Sequence, residues 1–130
     1  MDEFVADTHA LLWYFSDSRK LGSKASKIFD EADNGNAILH IPAIVVAELY
    51  YANVKTGKPI DFSDAYRKLD QSDQFVFTPF AVEDVLDFDN DSTVTEMHDR
   101  IIVGVSRRLN APLLTVDRNI TASGLVKIIW

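Results

Sequence analysis

The sequence predicts an α/β fold, a three-layer α/β/α sandwich around a central, mostly parallel sheet. Three observations predict it. Short β-branched runs alternate with longer helical patterns along the whole chain. Strands separated by helices imply βαβ units, and such units require a parallel sheet covered on both faces. Apolar residues make up 47% of the 130 positions, enough for one core, and no apolar run is long enough to cross a membrane. No repeat, low-complexity tract or linker interrupts the pattern, so residues 1–130 read as a single domain.

The elements follow in order. Residues 4–6 form a first strand, ending at Asp7. Residues 9–15 form an apolar helix, with Thr8 suited to its N-cap. Residues 23–32 form a second helix with Lys24 and Lys27 on a basic face, closed by Asn34-Gly35. Residues 37–41 form a second strand. Pro42 then sits well at a helix start, and residues 43–54 form a helix ending at Gly57. Residues 63–70 form another helix, with Ser63 as the expected cap. A third strand, residues 74–78, is stopped by Pro79. Residues 82–88 are helical. A long helix over residues 96–109 gathers Ile101, Ile102, Val105 and Leu109 on one side, and Asn110-Ala111-Pro112 breaks it. Residues 113–116 and 127–130 complete the sheet.

The net charge of −7 argues at first against a nucleic-acid enzyme, because phosphate binding uses basic surface. Its distribution matters more than its sum. Residues 83–99 hold seven acids and no Lys or Arg, and the remaining thirteen acids balance thirteen bases. The segment reads as a solvated acidic face, part of which borders a cation site. The absence of cysteine excludes disulfides and thiolate metal sites. The N-terminus lacks the basic start and apolar stretch of a signal peptide, so a cytoplasmic location is expected.

In open α/β sheets, sites form beyond the carboxyl ends of the parallel strands. Asp7 and Asp117 directly follow the first and fourth predicted strands. Asp99 lies in the first turn of the long helix, at the same edge. Glu48 lies in an apolar helix, Ile44-Val45-Val46-Ala47-Glu48-Leu49, where a buried carboxylate needs a cation or a buried Arg. Singly, each has a structural explanation: a helix cap for Asp7, a turn for Asp117, a dipole partner for Asp99. Jointly, Asp7, Glu48, Asp99 and Asp117 would repel one another unless a divalent cation compensated them. All-oxygen ligands suit Mg²⁺ or Mn²⁺, and phosphodiester hydrolysis is the natural reaction for such a centre.

The four segments that carry these acids resemble a PIN domain, specifically a VapC-type ribonuclease toxin. They are Val5-Ala6-Asp7-Thr8-His9-Ala10-Leu11-Leu12-Trp13, Ile44-Val45-Val46-Ala47-Glu48-Leu49, His98-Asp99-Arg100-Ile101-Ile102 and Ala111-Pro112-Leu113-Leu114-Thr115-Val116-Asp117. Their order and spacing are similar to the family across essentially the whole chain. The resemblance implies a PIN-like fold and an endoribonuclease in which Asp7, Glu48, Asp99 and Asp117 bind Mg²⁺ or Mn²⁺ and activate water against RNA. It also implies a homodimer and a cognate antitoxin. Many relatives carry Asp-Pro-Phe-Asp where this chain has Glu96-Met97-His98-Asp99, which leaves Glu96 open between an outer ligand and a solvated acid.

Other positions carry two readings each. Thr8 caps its helix or reaches toward water at the cation. Thr115, two residues before Asp117 on a strand, points the same way and is a candidate supporting group. Arg100 pairs with a carboxylate or contacts phosphate, with the ion pair favoured. His9 and His98 flank proposed ligands and could move protons, although water and carboxylates suffice. The apolar run Leu11-Leu12-Trp13-Tyr14-Phe15 and the pair Tyr50-Tyr51 exceed what one helix face needs, and are read as a mixture of core and of dimer or antitoxin surface. Arg19, Lys20, Lys24 and Lys27 are solvated or touch the RNA backbone. Two rival functions remain: a PIN-type RNA-processing nuclease without an antitoxin, and a non-catalytic acidic-pocket module such as a phosphoacceptor. The second needs a lone Asp after strand three, where the sequence has Thr78-Pro79.

Overall fold

A computed structural model describes residues 1–130. The elements are β1 (Asp2–Ala6), α1 (Thr8–Phe15), α2 (Ser23–Asp33), β2 (Ala37–Pro42), α3 (Ala43–Lys55), α4 (Phe62–Gln71) and β3 (Phe75–Thr78). A 3₁₀ segment (Val82–Asp91), α5 (Met97–Leu109), β4 (Leu113–Leu114), α6 (Arg118–Ser123) and β5 (Ile128–Ile129) follow. The five strands form one sheet in the order β3-β2-β1-β4-β5, and every neighbouring pair is parallel. The expected α/β/α sandwich is the observed fold. No helix is long and apolar enough to cross a membrane.

The order of strands sets the site. From the central β1 the chain moves outward through β2 and β3, then returns to β4 on the other side of β1. The strand order therefore reverses at the β1/β4 border, where Val5 pairs with Leu113 and Ala6 with Leu114. At such a switch point the connections leave in opposite directions and open a crevice. The strands around it are apolar on both faces, as a covered parallel sheet requires: Val5, Ala6, Leu39, Ile41, Leu113 and Leu114 are all fully buried. Phe29, Leu49, Ile102 and Ile120 close over them from the helices.

Several element ends differ from the sequence reading, each for a local reason. Asp7, not Thr8, caps α1: its Oδ1 accepts the Thr8 N–H at 2.6 Å. Asp61, not Ser63, caps α4 through the Asp64 N–H. In both places the helix starts one residue earlier than the sequence reading put it, and the carboxylate before it accepts a first-turn N–H. Three of the seven acids in the acidic stretch are paired with arginine, while Glu83, Asp89 and Glu96 are exposed. Asp91 is 1% exposed and takes two hydrogen bonds from Arg107, while Arg108 pairs with Asp84 and Asp87. Arg107 and Arg108 lie outside the acidic window in sequence, yet α5 folds back along the 3₁₀ segment and brings them to it.

Candidate functional site

A cleft of about 430 Å³ opens at the carboxyl edge of the sheet, lined by Asp7, Thr8, His9, Glu48, His98, Asp99 and Asp117 together with an apolar wall from α3. The four predicted acids thus line one cleft. Each arrives by its own route. Asp7 ends β1 and starts α1. Asp117 follows β4 and caps α6, accepting the Ile120 N–H at 2.8 Å. Asp99 sits in the first turn of α5, and Glu48 midway along α3.

Asp7 is the buried member, at 8% exposure. Its Oδ2 accepts the Thr115 hydroxyl at 2.6 Å, and the Thr115 oxygen in turn accepts the Asp117 N–H at 3.0 Å. Thr115 lies at the join of two ligand candidates and fixes both. That bond also explains why β4 ends at Leu114 and not at residue 116: the chain is already turning toward Asp117. Glu48 is less buried than its apolar neighbours suggest, with its side chain 30% exposed. Its Oε1 accepts the Thr8 hydroxyl at 2.8 Å, so Thr8 ties α1 to α3 rather than capping.

The electrostatics carry the mark of crowded like charge. Burial pushes the Asp99 carboxyl up to about 7, reinforced by Asp117, Asp7, Glu96 and Glu48. Burial also raises Glu48, against the Thr8 hydrogen bond, with Asp7 adding to the rise. Asp7 is raised by burial too, against the bonds from Thr115 and Thr8. Positive charge is sparse. His98 Nδ1 stands 3.6 Å from Glu48 and 3.2 Å from Glu96, and no Lys or Arg lines the cleft.

The donors fit a hard divalent cation. They are carboxylate oxygens, with raised proton affinity at Asp7, Glu48 and Asp99, and a bound cation would relieve their repulsion. As placed, no three Asp, Glu or His side chains stand close enough together to hold a metal ion by themselves. The arrangement is an open carboxylate rim, in which a cation would depend on water for part of its coordination.

The remaining candidates divide. Glu96 caps α5, its Oε2 accepting the Asp99 N–H at 2.7 Å, so it orients the helix that carries Asp99. Arg100 makes no ion pair. Its Nε donates to the Val94 carbonyl at 2.7 Å, and its other nitrogens reach the Phe88 and Ser92 carbonyls. Successive helical residues point about 100° apart, so Arg100 faces the 3₁₀ segment while Asp99 faces the cleft. Of the basic cluster, Lys20 lies over the Trp13 ring at 5.8 Å, and none of it lines the cleft. Sequence reading missed α6, although Asp117 as cap and Gly124 in the left-handed conformation bracket it.

The family whose model matches is the PIN domain, over residues 4–123. Among solved structures the chain is similar to one of VapBC2 from Rickettsia felis, bound to a DNA fragment from their promoter. The two are 17% identical with a TM-score of 0.65, over 98% of this chain and 97% of that one. It is also similar to a chain of FitAB bound to an IR36 DNA fragment, at 13% identity and a TM-score of 0.62, over 97% and 93% of the two chains. At these identities the likeness is one of fold. No curated protein matches the chain.

Proposed function

The chain belongs to the PIN domain family, and from that premise we propose that it is a Mg²⁺- or Mn²⁺-dependent endoribonuclease, the toxin of a type II toxin–antitoxin pair. The observation that carries this reading is the convergence of Asp7, Glu48, Asp99 and Asp117 on one cleft from four separate elements. When bound, the divalent ion would lower the pKa of an attacking water and polarise the scissile phosphoryl group.

The chain's own residues do the rest. Asp7 offers a carboxylate whose orientation is set by Thr8 and Thr115. Asp117 is held by its own cap bond and by Thr115. Glu48 is steadied by the Thr8 hydroxyl and borders the apolar wall. Asp99 shares a proton near neutrality when the cleft holds no cation, and added positive charge returns it to the carboxylate form. A cation held there would offset the cleft's negative charge and so favour entry of an anionic phosphodiester.

The toxin assignment rests on the VapC-type resemblance of the four motifs and on the fold shared with VapBC2 and FitAB. It carries with it a cognate antitoxin, a homodimer and a cytoplasmic site of action. A short reading frame for a DNA-binding protein beside this gene supports the toxin over an RNA-processing PIN nuclease. The catalytic reading is tested by incubating the purified protein with RNA and Mn²⁺, then with EDTA, then as Asp7→Ala. Loss of even a group supporting a metal ligand costs about 10–100-fold, so Asp7→Ala is expected to lose more than about 100-fold. Cleavage surviving both treatments would overturn the mechanism.

A further inference from the structure

Tyr51 is the only Phe, Tyr or Trp side chain that lines the acidic cleft. It is 72% exposed, so the core does not need it. Its ring is nonetheless braced. Tyr51 meets Tyr50 edge-on, with centroids 5.4 Å apart and planes at 89°, and Tyr50 meets Phe62 in the same way at 5.4 Å and 90°. Phe62, the first residue of α4, packs against the core. Three rings thus run from the core to the cleft, and the last presents an open face. Tyr51 stands three residues after Glu48 on α3, on the same side of the helix, and joins Ile44, Ala47 and Ala52 in the apolar wall.

An uncharged, flat, apolar surface beside a carboxylate rim matches the two halves of a nucleotide. The rim with its cation takes the phosphate, and the aromatic face takes the base. We infer that Tyr51 is a stacking platform for a nucleobase next to the scissile phosphate, and that it selects unpaired, single-stranded RNA. The inference rests on the nuclease reading above. In a duplex the bases stack on one another and none is free to lie on Tyr51. Stacking tolerates every base, because each has a π face, so the platform selects for strandedness more than for sequence. The bracing by Tyr50 and Phe62 orients the ring before the RNA arrives, which lowers the entropy lost on binding.

The test uses a single-stranded RNA oligonucleotide with one cleavage site, Mn²⁺, and the variants Tyr51→Ala, Tyr51→Leu and Tyr51→Phe. Stacking on one aromatic ring corresponds to about a 5- to 160-fold effect. Tyr51→Ala and Tyr51→Leu are expected to lose that much in kcat/KM, and Tyr51→Phe to stay within about threefold of the wild type on the same scale. Replacing the base beside the scissile phosphate by an abasic nucleotide should cost the wild type a similar factor and cost Tyr51→Ala nothing more. A binding arm needs no cleavage. With the wild type, Mn²⁺ and an oligonucleotide whose scissile linkage resists hydrolysis, 2-aminopurine at that position should be quenched, and the quenching should vanish in Tyr51→Ala. Unchanged kinetics in Tyr51→Ala, with equal sensitivity to the abasic nucleotide, would overturn the platform and leave the nuclease reading standing. Unchanged kinetics with weakened self-association in sedimentation would assign Tyr51 to a protein interface and overturn it as well. A wild type that neither cleaves the RNA nor quenches the probe would remove both readings.

Discussion

Asp99 and Asp7 show how one residue type serves different ends at one site. Asp7 is almost fully buried and survives there because two donors, the Thr115 hydroxyl and the Thr8 N–H, hold it. Asp99 accepts no such bond and takes the full effect of burial and of its acidic neighbours, which is why its carboxyl rises to about 7. The consequence for stability has a definite sign. An acid whose pKa is higher folded than unfolded favours the folded state at low pH and loses that contribution as pH rises through the folded value. Asp99 therefore stabilises the cation-free protein below pH 3.8, and the contribution fades as pH climbs to about 7. Asp7 and Glu48 are raised as well and act in the same direction. In EDTA, Asp99→Asn is expected to raise the urea midpoint clearly at pH 8 and little at pH 5. Equal destabilisation at both pH values would show that Asp99 makes contacts more important than its charge.

At the scale of elements, the 3₁₀ segment and α5 are held together by charge more than by apolar contact. Arg107 donates to both oxygens of Asp91, and Arg100 reaches three backbone carbonyls in and just after the segment. The two arginines at the end of α5 are not equivalent. Arg107→Ala would strand a carboxylate that is 1% exposed, and removing one partner of a buried pair costs about 3–5 kcal/mol. Arg108→Ala would release Asp84 and Asp87 in more solvated surroundings, where ion pairs contribute about 0–1 kcal/mol. Urea unfolding of the two variants checks the contrast, and equal losses would mean that Asp91 finds other support. Because α5 carries Asp99 at its start, loosening its far end reaches the site only through a whole helix. Arg107→Ala should therefore cost stability first and cation affinity second.

The whole molecule gathers like charge at one edge, through Asp7, Glu48, Asp99 and Asp117. A ligand that binds only the folded chain stabilises it by mass action, about 2.7 kcal/mol at a hundredfold excess over its dissociation constant. Mn²⁺ is expected to raise the melting temperature by several degrees in proportion to such binding, EDTA to reverse the rise, and Asp7→Asn to abolish it. A melting curve indifferent to Mn²⁺ in the wild type would count against a cation at these carboxylates. Asp7, Glu48, Asp99 and Asp117 contribute four of the net seven negative charges, whereas Arg107 and Arg108 offset the acids they pair with.

Much of this was written in local sequence. The alternation of strands and helices gives the sandwich, because each element's apolar pattern states how many of its faces must be covered. Asp7, Glu48, Asp99 and Asp117 could be singled out for the same reason: three stand at element ends and one interrupts an apolar helix, and such positions are visible one segment at a time. What tertiary structure alone decided is who meets whom. The sheet order that makes β1 and β4 neighbours, the Thr115 bond that couples Asp7 to Asp117, and the Thr8 bond that ties α1 to Glu48 all join residues far apart in the chain. So do the pairing of Asp91 with Arg107 and the line of rings from Phe62 to Tyr51. Sequence periodicity reports the face a residue presents. It does not report the partner on the other side, because that depends on where the fold returns the chain.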